Sequence, residues 1–77
     1  MNEGEHLWEL CVEDRDPVRV IKGFNDHELR LLMNHVAHVI KRAGGDGGVP
    51  SLVQGLCEMD AAERFLQRGD ASKETRP

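Results

Sequence analysis

The stretch LWELCVEDRDPVRVIKGF, residues 7–24, decides the fold, because it admits two periodicities. As extended chain, it puts Trp8, Leu10 and Val12 on one face and Glu9 and Glu13 on the other. After the polar DRDP, the run VRVIKGF alternates again, with Val18, Val20 and Phe24 against Arg19 and Gly23. Asp and Pro suit a turn, and Val and Ile suit strands. The alternation predicts a β-hairpin over residues 7–13 and 17–23. A helix over the first run would spread Leu7, Trp8, Leu10, Cys11 and Val12 around roughly 200° of its circumference, a poor apolar stripe.

Downstream of the hairpin the pattern turns helical. In NDHELRLLMNHVAHVIKRAGG, residues 25–45, Asn25 is a good N-cap, and Glu28 stands where a capping box needs it. Asp26 and Glu28 suit the positive end of the helix dipole, Lys41 and Arg42 the negative end, and Gly44 and Gly45 stop the helix. These signals predict a helix over residues 26–43, with Leu29, Leu32, Met33, Val36, Ala37, Val39, Ile40 and Ala43 on the buried face.

GGDGGVPS reads as a loop, with Pro50 suited to a first helical turn. SLVQGLCEMDAAERFLQR is again helical, although Gly55 costs it about 1 kcal/mol relative to alanine. Leu52, Leu56, Met59, Ala62 and Leu66 share a face if that helix is continuous, and Phe65 does not. A break near Asp60, which stands three residues before Glu63 in a second cap-like spacing, would let a second short helix bring Phe65 inward. GDASKETRP has no large apolar residue and reads as a disordered tail.

The expected fold is therefore α+β. One small domain covers residues 1–68, with an N-terminal β-hairpin packed on one long helix and one or two short helices after it; residues 69–77 form the tail. An all-α helical bundle is the second arrangement.

Seventy-seven residues fit one domain, and a core of that size is small. Cys11 and Cys57 sit among apolar neighbours and read as free thiols acting as small buried hydrophobes. MNEGEHLWELC has neither a basic nor an apolar leader region, and no apolar run approaches the roughly 20 residues that cross a bilayer, so a cytoplasmic location away from membranes is expected.

The formal net charge of −4 opposes direct attraction to nucleic acid or anionic lipid. It is unevenly spread. Residues 1–16 carry Glu3, Glu5, Glu9, Glu13, Asp14 and Asp16 against Arg15 alone, whereas residues 17–45 carry Arg19, Lys22, Arg30, Lys41 and Arg42 against Asp26 and Glu28.

The three histidines of the main helix invite a metal or catalytic reading. On the wheel, His27, Asn34, His35 and His38 lie away from the apolar stripe. His35 and His38 are close enough to share a ligand, but His27 lies about 16 Å along the axis from His38. Zinc normally takes at least three protein ligands, and no CxxC, HExxH or paired Cys/His spacing is present. GGDGG is not followed by the lysine of a phosphate-binding loop, and no GxSxG surrounds either serine. No cofactor, metal or catalytic residue is expected.

What remains is a surface. Leu31 stands among His27, Asn34, His35 and His38, and a mixed strip of His27, Leu31, Asn34 and His38 would suit a docked partner or a second copy in a homodimer. Trp8 is a candidate anchor. Glu9, Glu13, Asp14 and Asp16 form an acidic patch that would steer the chain to a basic partner. The expected function is non-enzymatic: a small acidic protein that binds another protein and regulates or inhibits it, with a basic, nucleic-acid-binding surface as the fitting target. The alternative is a nucleic-acid-binding transcriptional regulator using the basic central helix.

Overall fold

The computed structural model describes residues 2–44 and 48–74, with side chains through Arg68. It contains four helices: α1 (Glu3–Glu13), α2 (Pro17–Lys22), α3 (Asp26–Arg42) and α4 (Val49–Glu74). No strand occurs among the described residues, so the expected α+β fold with its N-terminal hairpin is overturned in favour of an all-helical domain.

The hairpin fails for a specific reason. The alternating pattern treated Leu10 and Val12 as residues that must be buried, yet they remain 40% and 41% exposed. Scattered exposed apolar residues are normal. The row that matters is Gly4, Leu7 and Cys11, all buried, at spacings of three and four. Asn2 caps this helix by accepting a hydrogen bond from the Glu5 amide at 2.8 Å, and Glu3 and Glu5 face the positive dipole end.

DRDP likewise starts a helix instead of turning a hairpin. Asp16 accepts from the Arg19 amide at 3.3 Å, and Pro17 occupies the first helical turn, where its missing N–H costs nothing. The strand preference of Val and Ile is a small bias that burial of Ile21 outweighs.

α3 has the capping box its sequence announces. The Glu28 amide donates to Asn25 Oδ1 at 2.7 Å, and the Asn25 amide donates to Glu28 Oε1 at 2.9 Å. Leu29, Leu32 and Val36 are buried, and Met33, Val39 and Ile40 partly so, whereas Ala37 and Ala43 are exposed. α3 packs against α1 and α4, and α2 closes the ring by touching α1 and α4. Leu7, Cys11, Ile21, Leu29, Leu32, Val36, Val53 and Cys57 fill the space between them.

α4 takes the continuous one of the two arrangements its sequence allows: it runs unbroken past Asp60, which forms an ion pair with Arg64 one turn on (2.6 Å) instead of capping a new helix. Its buried residues are Val53 and Cys57, on the side away from the Leu52, Met59 and Leu66 face that the sequence assigned to the core. The helix continues through Glu74, and residues 75–77 of the expected tail lie outside the described residues. So do residues 45–47 of the glycine-rich loop.

Two glycines should respond oppositely to alanine. A Cβ on Gly4 would stand 3.0 Å from the His35 Cβ and 3.2 Å from the Leu31 carbonyl oxygen, so α1 would be pushed off α3. Gly4→Ala is expected to cost about 1–2 kcal/mol after the gain in helix propensity. A Cβ on Gly55 meets nothing within 4 Å, and Gly55→Ala is expected to stabilise the chain by up to about 1 kcal/mol. Urea denaturation of the two variants against the parent checks both signs.

Candidate protein-binding surface

Burial on α4 is one-sided. Leu52, Met59 and Leu66 are 59%, 70% and 64% exposed, although a residue in every seventh position returns to nearly the same azimuth of a helix. They form a row about 21 Å long at 1.5 Å per residue. Between them, on the same face, come the small residues Gly55 and Ala62. Glu58 stands along one edge and Glu63 along the other, both exposed. Beside the row, Val18, Ile21 and Lys22 of α2 and Leu56, Met59, Asp60 and Glu63 of α4 line a shallow groove of about 130 Å³. Across the helix, exposed Phe65 borders a wider groove of about 390 Å³ with Leu29, Met33 and Arg64.

α4 keeps its orientation because Arg64 fastens it to the α2–α3 corner. Its Nη2 donates to the carbonyl oxygens of Ile21 (3.2 Å) and Phe24 (2.7 Å), and its Nη1 donates to Asp26 Oδ1 (3.0 Å). Burial works against the Arg64 charge, but Asp26 and Asp60 more than offset it and hold the guanidinium above its ordinary pKa. Arg68 adds a further ion pair to Asp26.

The sequence-predicted site residues are divided by the fold. Leu31, Asn34 and His38 meet along an open groove of about 340 Å³, which Asn2, Glu3, Gly4 and His35 also line. His27 does not line it. Leu31 is half-buried against the core beside Gly4, so it is not the exposed centre of a strip. An aspartate there would damage packing as well as any contact. His35 is half-buried too, with its ring 6.2 Å from that of Trp8 at 56°. The expectation that it faces away fails because Gly4 lets α1 lie directly over that side of α3. Trp8 packs against the core.

Of the acidic residues, Glu9 is half-buried, and Glu13, Asp14 and Asp16 are exposed. Asp14 and Asp16 also do structural work, since Asp14 Oδ1 accepts from the Asp16 amide at 2.8 Å before Asp16 caps α2. The basic residues of α3 considered for nucleic acid, Arg30, Lys41 and Arg42, are all exposed.

Leu52, Met59 and Leu66 were missed as surface residues. The available signal was that α4 is apolar on two faces, one with Val53 and Cys57 and one with the row, so it can serve two partners.

Among the described residues no group of three His, Cys, Asp or Glu side chains is placed to hold a metal ion. No helix among them is long and apolar enough to cross a membrane. Cys11 and Cys57 are free and buried. Burial, with Asp14 adding to it, pushes the Cys11 thiol up to about 11; burial, with Cys11, Asp60 and Glu58 adding, pushes the Cys57 thiol up to about 12. Both are therefore protonated and enclosed near neutral pH, the reverse of an activated nucleophile.

A raised thiol pKa stabilises the folded state below the ordinary thiol pKa, and that stability is lost as pH rises from about 9 through the folded values. Over that window each thiol is expected to cost about 1.4 kcal/mol per pH unit. Denaturant titrations at pH 8 to 10.5 should show the decline, and Cys57→Ala should flatten it. At pH 8 the native thiols should react with a disulfide reagent only as fast as the core opens.

Comparison with family models, with curated proteins and with solved structures gives no match.

Proposed function

We propose that the chain is a non-enzymatic protein that acts by binding another protein, and thereby regulates or inhibits it. The observation that carries this is the exposed row Leu52, Met59 and Leu66 on α4, which the chain's own core leaves uncovered. An apolar row with a polar rim on a firmly anchored helix has the make-up of a docking face, and apolar surface gathered on one face is the kind that marks an interaction site. The acidic balance, with Glu58 and Glu63 beside the row and Glu13, Asp14 and Asp16 elsewhere, supports a basic partner. A partner surface that also holds nucleic acid has that character.

Immobilised chain exposed to a lysate of its source, with nuclease present, tests the proposal. One stoichiometric protein is expected, and Leu52→Glu together with Leu66→Glu should abolish its capture. Capture of nothing, or only of material that nuclease removes, would overturn the proposal, and the second result would return attention to Arg30, Lys41 and Arg42.

A further inference from the structure

We infer that the exposed face of α4 seats an amphipathic helix of the partner, with an apolar seam edged by lysine or arginine. This rests on the protein-binding proposal above and specifies the surface and the chemistry of its occupant.

The spacing of the row is that of a helix-pairing seam. Leu52, Met59 and Leu66 recur every seven residues, with Gly55 and Ala62 at the intervening seam positions. Large and small side chains thus alternate along the face, so a second helix can place its own large residues over Gly55 and Ala62. Gly55 is the more informative of the two. It lies in the interior of a helix, where glycine is the least favourable residue after proline, and beyond its own helical turn nothing among the described residues comes within 4 Å of where its Cβ would be. No contact among the described residues uses the space of the missing side chain, whereas a helix arriving from outside would.

The edges of the seam choose the occupant. The described edge positions are Ser51, Glu58 and Phe65 on one side and Leu56 and Glu63 on the other. They carry two acids and no base. A second copy laid on this face, parallel or antiparallel, would bring its own acidic edges against these. An anionic lipid surface would meet the same two carboxylates. A helix with lysine or arginine beside its seam pairs with them instead. Lys22 lines the groove between α2 and α4 together with Glu63, and Asp60 there is paired with Arg64, so the groove is balanced and the seam edges decide the charge of the occupant. That groove, walled by Val18 and Leu56, has room for the tip of one apolar side chain from such a helix.

Photo-crosslinking tests this. Benzoylphenylalanine replaces Met59 in the full chain, the protein is irradiated in a lysate of its source, and the linked peptide is sequenced. A second chain carries the probe in place of Asn34, on the α3 groove. The expected product at position 59 is a segment of one other protein, with apolar residues at heptad spacing and basic residues beside them. Its yield should fall by roughly tenfold when Glu58→Lys and Glu63→Lys reverse the edges, with the helical circular dichroism unchanged. Linkage to a second copy of this chain, to lipid, to an acidic segment, or to nothing at position 59 would overturn the inference. Linkage at position 34 alone would leave the protein-binding proposal standing and move its surface to α3. No linkage at either position would overturn both.

Discussion

Arg64→Ala is expected to lower the stability of the chain by about 3–5 kcal/mol, a large share of what a domain of this size has. The size of the effect follows from what the guanidinium does at once. It donates to two backbone carbonyls at the end of α2 and the turn after it, binds Asp26 at the start of α3, and faces Asp60 on its own helix. Asp60 is only 10% exposed, so removing Arg64 leaves a nearly buried carboxylate unpaired and two carbonyls short of a donor.

Arg64→Lys should recover little, because one ammonium cannot reach these groups in the fixed fork that a guanidinium provides. Acid titration gives an independent check. A hydrogen bond from Arg64, with Arg68 and Arg64 charges adding, holds the Asp26 carboxyl below the ordinary carboxylate range. That stabilisation is present above the unfolded carboxylate pKa and is lost as pH falls through the folded one. Arg64→Ala should therefore flatten the acid limb of the stability curve as well as lower it. A variant that matched the parent in urea midpoint would mean that the corner is held by something else.

Leu32→Ala is the second large effect, at about 2–5 kcal/mol. Leu32 is wholly buried on the helix that packs against both α1 and α4, in a core of aliphatic side chains and two thiols. A cavity there cannot fill without shifting helices that meet on several sides. The informative comparison is Leu66→Ala, which removes the same atoms from an exposed site and should change stability by no more than about 0.5 kcal/mol. Equal losses in the two variants would show that the exposed face of α4 is packed in solution, contrary to the fold described.

The sequence made α3 plain because five signals agreed there and none was borrowed from the rest of the chain. Asn25, Glu28 and the apolar stripe are local, and the capping box formed as expected. α1 and α2 were misread because their signals are tertiary. Gly4 counts as buried only because α3 lies against it, and a glycine adds nothing to a hydrophobic pattern. Leu10 and Val12 weighed towards a strand, yet the fold never buries them. Asp16–Pro17 fits a turn and a helix start equally well, and Ile21 reaching the core decides between them.

On α4 the periodicity was right and the face was wrong. The larger side chains form the outer row, while the inner contact uses the smaller Val53 and Cys57 beneath the Arg64 anchor. Hydrophobicity alone ranks those two faces in the reverse order of their burial. Of the expected strip, Leu31, Asn34 and His38 line one groove and His27 does not, and the cover that α1 places over Leu31 and His35 was not legible.

The four glycines at positions 4, 44, 48 and 55 have a consequence over evolutionary time. Position 4 is closed to larger residues by its neighbours, and positions 44 and 48 by backbone φ values of 85° and 93°, which side chains disfavour. Position 55 has neither constraint among the described residues, and selection for stability alone would fill it. A lineage that lost its binding partner would be expected to acquire alanine at 55 early while keeping glycine at 4, 44 and 48, so descent at this one position would record when the partnership ended.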